Sequence, residues 1–282
     1  MWGNISNIFV FFHLTTIVKR DTVYVCYIQL EKKEMVILST VLEVKELSKK
    51  YAKVLAADRV SFDIQKGEIF ALIGPNGAGK TTTIRMISTL LTPTGGDAVV
   101  NGFSITEHPA QVRENITYLP DEAGAYKTMT GKGYLEFMGS IFTTDHELAK
   151  KYVETATETC ALGERLNEKI GSYSRGMTRK LLLARAVMTR PALAILDEPT
   201  SGLDIINALE IRKMIKDLAD EGMSFLLSSH NMLEIEYVSD RVGIIANGKL
   251  LVIGKTQELK ERYSANNLEE VFERVVKEHE IL

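Results

Sequence analysis

A chain of 282 residues, 45% of them hydrophobic, is long enough to bury a sizeable core, and it reads as one unit with an inserted lobe rather than two full domains. Its 34 basic and 37 acidic residues leave a net charge of -3, which gives no global electrostatic case for nucleic-acid binding. The two cysteines, Cys26 and Cys160, lie far apart and in no metal-like spacing, so neither a disulfide framework nor a zinc site is indicated; a reducing compartment fits, and Cys160 reads as a small core residue.

The chain begins with the apolar run Ile8-Phe9-Val10-Phe11-Phe12, followed by polar His13, Thr15 and Thr16 and then Lys19-Arg20-Asp21. The run is about half of what a bilayer-spanning helix needs. It also lacks the preceding positive charge of a secretory signal. Met35 stands just before Val36-Ile37-Leu38 and the strand-like Val41-Leu42-Glu43-Val44. Two readings stand for residues 1–34: an extension of no catalytic role ahead of a natural start at Met35, or a short membrane-touching anchor. From Val41 the pattern is short strands, with Arg59-Val60-Ser61-Phe62-Asp63-Ile64 closed by a turn at Lys66-Gly67. Tyr51 is placed in the loop between them, either as a surface residue or as a ring for a base to stack on.

Next comes Gly74-Pro75-Asn76-Gly77-Ala78-Gly79-Lys80-Thr81-Thr82, which fits the phosphate-binding pattern G-x-x-x-x-G-K-[ST]. The apolar Glu68-Ile69-Phe70-Ala71-Leu72-Ile73 before it is strand-like, and Thr82-Thr83-Ile84-Arg85-Met86-Ile87 after it reads as a helix. Strand, glycine loop and helix is the context this motif requires. Glycines let backbone N–H groups turn toward a phosphate, and the helix adds the positive end of its dipole. Lys80 reaches the β- and γ-phosphates as a point charge, and the Thr81 hydroxyl is a ligand for Mg²⁺.

Pro93-Thr94-Gly95-Gly96 ends that element, and residues 97–103 read as a small hairpin with Ile116-Thr117-Tyr118-Leu119-Pro120 as a further strand. Residues 128–170 then turn helical. Asp145 is placed to cap a helix whose apolar positions Ala149, Tyr152, Val153, Ala156 and Cys160 keep 3.6 spacing. The expectation is a helical lobe over about 121–171, inserted in an α/β core. Ser174-Arg175-Gly176-Met177 opens the next helix; Ser174 is an N-cap there, and the exposed N–H groups are able to hold an anion. Leu193-Ala194-Ile195-Leu196-Asp197-Glu198 reads as a buried strand that delivers two acids to a ligand crevice. They are either a capping pair or, with Asp197 on a metal and Glu198 on an attacking water, the working acids of phosphoryl chemistry. Ser201-Gly202-Leu203-Asp204 leads into a helix over 205–221. Ser224-Phe225-Leu226-Leu227-Ser228-Ser229-His230 is another buried strand, and its terminal His230 is either structural or in reach of a γ-phosphate. Two strands follow around Asn247-Gly248. Asn267 caps a last helix whose stripe of Leu268, Val271, Phe272, Val275 and Val276 packs on the body or on a partner.

Taken together, these motifs resemble the ATP-binding subunits of ATP-binding-cassette transporters over about 41–275. In family order stand a Walker A loop (74–82), a signature (Ser174-Arg175-Gly176-Met177), a Walker B strand (193–197), the acid Glu198, a D-loop (201–204) and the switch histidine His230. Tyr51 matches the family's adenine-stacking aromatic. Within the family the chain is similar to bacterial and archaeal exporters with separate membrane subunits, and to the sodium-extrusion ATPases through Asn101-Gly102-Phe103, Tyr118-Leu119-Pro120-Asp121-Glu122 and Leu268-Glu269-Glu270-Val271-Phe272. The resemblance implies an α/β fold: a P-loop NTPase (RecA-like) core with an N-terminal antiparallel β subdomain and an inserted helical subdomain, and a short tail over 276–282. It implies ATP bound by Tyr51, Gly74, Pro75, Asn76, Gly77, Ala78, Gly79, Lys80, Thr81 and Thr82, with Ser174 and Gly176 acting from a second copy. It implies Mg²⁺ on Thr81, Asp197 and Asp121, and hydrolysis by Glu198 and His230. The implied partners are a second ATP-binding subunit and an integral membrane subunit, at the cytoplasmic face of the membrane, with no nucleic acid. A soluble cassette ATPase working on nucleic acid or ribosomes is the alternative; such proteins usually carry two cassettes or a long coiled coil, and this chain has neither.

Two departures stand out. Asp121 replaces the family's Q-loop glutamine, which brings a charge and loses an amide donor. Arg175 stands where the family usually has a second glycine. If Met35 is the natural start, a chain beginning there keeps full ATPase activity and thermal stability; loss of folding on removing residues 1–34 would show that this segment packs on the core.

Overall fold

A computed structural model describes residues 16–19, 22–25 and 40–279. It divides into two units, Met1–Ile37 and Leu38–Leu282. In the first, β1 (Thr16–Lys19) and β2 (Thr22–Val25) pair antiparallel with Thr16 opposite Val25. The apolar run 8–12, Cys26 and Met35 lie outside the described residues.

The second unit opens with the hairpin β3 (Thr40–Tyr51) and β4 (Val54–Gln65). Then come β5 (Ile69–Ile73), α1 (Lys80–Ile87), β6 (Gly95–Val100), β7 (Phe103–Ser104), α2 (Pro109–Asn115) and β8 (Ile116–Leu119). The inserted lobe is α3 (Gly131–Phe142) and α4 (His146–Cys160), closed by 3₁₀ turns at Gly163–Asn167 and Ile170–Ser172. The chain returns through α5 (Arg175–Val187), β9 (Leu193–Asp197), α6 (Ile205–Asp220), β10 (Ser224–Ser229), α7 (Met232–Glu236), β11 (Arg241–Ala246), β12 (Lys249–Lys255), α8 (Thr256–Arg262) and α9 (Leu268–Glu278).

Two sheets result. The larger has the order β12-β11-β5-β10-β9-β8, parallel except where β12 turns back on β11. The smaller, β4-β3-β6-β7, is antiparallel throughout. The α/β expectation with an antiparallel subdomain and a helical insertion therefore holds. Strands β5, β9 and β10 are buried at every position, which is why they read as continuous apolar runs rather than as alternation. One core cluster spans the helical lobe, α5, α6 and one face of the large sheet; the other lies between the sheets and α1. Phe62 of β4 and Phe70 of β5 stack across that second core with centroids 4.9 Å apart.

The lobe's caps follow the expected chemistry. Asp145 accepts hydrogen bonds from the Glu147 and Leu148 N–H groups, and Thr130 accepts one from Gly133. Ala156 and Cys160 are buried on the inner stripe of α4. Some boundaries differ from the sequence pattern. Strands β3 and β4 run twelve residues each and keep pairing through register shifts, so Tyr51 ends a strand opposite Val54 instead of sitting in a loop. Gly95-Gly96 start β6, because Gly95 pairs with Ser48. Helix α9 runs through residue 275 to Glu278, and its stripe packs on the body: Leu268, Val271, Val275 and Val276 are buried against the core.

The stacked pair predicts a measurable dependence. Phe70→Ala removes a fully buried ring and leaves a cavity, and denaturant unfolding should show a loss of about 3–5 kcal/mol.

Candidate functional site

The register of the large sheet assembles the site. In the ladder, Ser229 of β10 is opposite Ile73 of β5, and Ser228 is opposite Asp197 of β9. The glycine loop, the acid pair and His230 therefore leave the sheet at one edge, side by side, as parallel strands with crossovers demand. At this edge a cavity of about 250 Å³ is lined by Asn76, Gly77, Ala78, Gly79, Lys80, Thr81, Thr82, Asp121, Asp197, Glu198 and Ala56. A larger cleft of about 540 Å³, lined by residues such as Lys66, Arg190 and Glu221, opens where the parallel strands begin. It lacks the glycine loop and the acids, so the smaller cavity is the candidate site.

Gly79 caps α1 at φ 107°, a left-handed conformation that turns the loop into the helix, and an added Cβ would come 2.4 Å from the Ala56 carbonyl. Lys80 follows, 6% exposed, and its ammonium donates to the carbonyls of Gly74 (2.6 Å) and Pro75 (3.1 Å). It lies 4.0 Å from Glu198 Oε1. Burial lowers the Lys80 pKa, and the nearby Glu198 and Asp197 carboxylates pull it back up.

Asp197 ends β9 almost fully buried. Its Oδ1 accepts a hydrogen bond from Ser228 Oγ, and its Oδ2 accepts one from the Tyr118 hydroxyl at 3.4 Å. Burial and the Asp197 charge push the Tyr118 hydroxyl pKa up, which keeps it a donor. The next residue, Glu198, leaves the strand at φ 50°. Its Oε1 stands 2.9 Å from His230 Nδ1 and its Oε2 accepts from Ser229 Oγ at 3.3 Å. Among the described residues no group of three or more His, Cys, Asp or Glu side chains forms a metal cage. The oxygen donors at this edge, the Thr81 hydroxyl with the Asp197 and Asp121 carboxylates, are of the hard type that suits Mg²⁺ shared with phosphate.

The structure brings together residues 76–82, Asp121, Asp197, Glu198 and, through Glu198, His230. Gly74 and Pro75 take part through their carbonyls. Tyr51 does not line the cavity; it is half exposed, with the Lys49 ammonium 5.5 Å above its ring. Ser174 and Gly176 do not line it either. Ser174 Oγ accepts from the Met177 N–H as a cap, and Gly176 is buried against Asn207. Arg175 turns onto the D-loop and donates to the Gly202 carbonyl at 2.8 Å. Sequence reasoning missed Ser228, Ser229, Tyr118 and Arg179. The serines had a readable signal, since they precede His230 at the end of a buried strand; Tyr118 and Arg179 reach the acids only through the fold.

Comparison with known proteins gives one result. The family model described as "ABC transporter" matches residues 57–201. The chain is 37% identical over 227 residues to the linearmycin resistance ATP-binding protein LnrL of Bacillus subtilis, covering 80% of this chain and 73% of that protein. It is 36% identical to the ABC transporter ATP-binding protein NatA of the same species, covering 78% and 90%. It is 34% identical to the daunorubicin/doxorubicin resistance ATP-binding protein DrrA of Streptomyces peucetius, covering 80% and 69%. A solved ATP-binding subunit of an ABC transporter superposes with TM-score 0.74 at 28% identity, over 84% of this chain and all of that one.

The packing at the signature is testable on the isolated chain. A Cβ on Gly176 would meet Asn207 Oδ1 at 1.9 Å, and Asn207 is pinned by Asp204, which accepts from both its backbone and side-chain N–H groups. Gly176→Ala should lower stability by about 1–3 kcal/mol in chemical denaturation. Adding Asn207→Ala, which removes the two nearest atoms and leaves the Asn207 Cβ position at 2.9 Å, should restore part of it.

Proposed function

The chain belongs to the ABC transporter family as an ATP-hydrolysing, transport-coupled ATP-binding subunit, and on that premise we propose how its residues divide the work. The observation that carries the reading is the meeting of Lys80, Glu198 and His230 at one sheet edge, with Glu198 Oε1 4.0 Å from the ammonium and 2.9 Å from the imidazole. The triphosphate of ATP lies along residues 74–82, where Lys80 exchanges its two carbonyl partners for phosphate oxygens and Tyr51 stacks on the adenine. Mg²⁺, held by Thr81, Asp197 and Asp121, would neutralise charge on the β- and γ-phosphates. Glu198 takes the proton of the attacking water, oriented by Ser229 and His230. Ser228 and Tyr118 hold the Asp197 carboxylate in place.

Two copies pair head to tail, so that Ser174 and Gly176 of one face the nucleotide of the other. Neither residue lines the cavity within a single chain, which agrees with a role in trans. Coupling goes through an integral membrane subunit, and among the described residues no helix is long and apolar enough to cross a membrane. The docking place is the helical lobe, at the cytoplasmic face of the membrane. Resistance to linearmycin and to daunorubicin and doxorubicin, named for two relatives, favours an antibiotic-like small molecule over sodium as the exported cargo.

Glu198→Gln separates binding from chemistry, because it keeps the shape and removes the base and its charge. It should bind ATP at least as tightly as wild type and hydrolyse it at least roughly a hundredfold more slowly. It should elute as an ATP-bound dimer in size-exclusion chromatography with Mg-ATP. Lys80→Ala, measured alongside by nucleotide titration, should lose tight binding. A Glu198→Gln protein that stays monomeric with ATP and turns over at the wild-type rate would make Glu198 a structural acid.

A further inference from the structure

We propose that Arg179 is a positioning residue for hydrolysis: its guanidinium sets the spacing between the Asp121 segment and the Asp197-Glu198 acids, and ties both to the helix that begins at the signature. This rests on the reading of Asp197 and Glu198 given above. Arg179 lies on α5 just over one turn beyond Ser174, and it is 7% exposed. An arginine has five N–H donors in a rigid planar fork. Here all five are used, each on a backbone carbonyl. Nε donates to Pro199 (2.8 Å), Nη1 to Pro120 (3.3 Å) and Asp121 (3.1 Å), and Nη2 to Asp197 (3.2 Å) and Glu198 (2.7 Å).

The acceptors fall on two loops, 120–121 and 197–199, that meet nowhere in the sequence but both line the phosphate cavity. The first follows β8 and leads into the helical lobe; the second follows β9 and carries the acids. One planar group bonded to both fixes their separation. It also fixes the backbone of Glu198. That residue is at φ 50°, a conformation L-residues avoid unless their surroundings over-determine it. The Glu198 N–H donates to the Ser228 carbonyl at 3.1 Å and its own carbonyl accepts from Arg179, so both flanking peptides are held and the carboxylate is aimed at Lys80 and His230. The buried cation is compensated by charge as well as by carbonyls. Burial lowers its pKa, and the Asp121, Asp197 and Glu198 carboxylates raise it. No bond of Arg179 reaches the P-loop, so the loop's own hold on the phosphates is separable from the placing of the acids.

The test is steady-state turnover with Mg-ATP and equilibrium ATP binding without Mg²⁺ for Arg179→Met and Arg179→Lys, with wild type and Lys80→Ala in parallel and thermal melts on all four. For Arg179→Met the expected result is a kcat lowered roughly ten- to hundredfold, the scale of a displaced catalytic group. Its affinity for ATP measured without Mg²⁺, which reads the P-loop alone, should stay within about threefold of wild type. Arg179→Lys should fall between Met and wild type, since an ammonium keeps the charge but supplies three donors without the fork. Unchanged kcat in Arg179→Met, a Mg²⁺-free ATP affinity that falls in step with the loss of kcat, or a lysine variant no better than methionine would each overturn the proposal. So would a failure of both variants to fold, which would make Arg179 a folding residue. Wild-type protein that does not hydrolyse ATP would instead sink the underlying reading of the site.

Discussion

Everything at this site depends on β10 pairing in parallel with both β5 and β9. Parallel strands with crossover connections send all their C-terminal ends to one edge. Because Ile73, Asp197 and Ser229 end their strands at that edge, the next residues are Gly74, Glu198 and His230. A shift of one residue in β9 would turn Asp197 into the opposite face of the sheet and take Glu198 with it. The burial of all three strands on both faces guards against such a slip, since their apolar side chains fill two cores at once.

The edge concentrates charge where water is scarce. Lys80 and Asp197 are nearly buried and Glu198 only a little less so. Each would be costly alone in such a place. The ammonium is satisfied by two loop carbonyls and a carboxylate 4.0 Å away, and the carboxylates are satisfied by hydroxyls from Ser228, Ser229 and Tyr118. These partners hold the groups in place without neutralising the site. An anionic phosphate entering the glycine loop meets N–H groups, a helix N-terminus and a lysine that has two loop carbonyls to trade for phosphate oxygens.

The signature stretch is tied to its own chain by more than its helix. Arg175 reaches the Gly202 carbonyl, Gly176 lies against Asn207, and Arg179 spans the two cavity loops. The departure from the family's usual second glycine therefore has a local account: the longer side chain fastens the start of α5 to the D-loop. The other departure, Asp121, keeps its place at the cavity, and its backbone carbonyl is one of the five that Arg179 holds.

Much of this was legible in the sequence by itself. The glycine loop between an apolar strand and a helix, the strand ending in Asp197-Glu198, the capped helix after Asp145 and the stripe of α9 are each encoded by neighbouring residues, through local geometry and side-chain period. Family order among those motifs carried the class. What the sequence left open needed contacts between residues distant along the chain. Tyr51 moved from loop to strand end because β3 and β4 keep pairing through register shifts that no local pattern encodes. Tyr118 reaches Asp197 across 79 positions, and Arg179 reaches Asp121 across 58. An arginine in the middle of an amphipathic helix has the same sequence signature whether it faces water or a ring of carbonyls. Only the packing of α5 against β8, with the guanidinium reaching the end of β9, takes it out of solvent and decides which of the two it is.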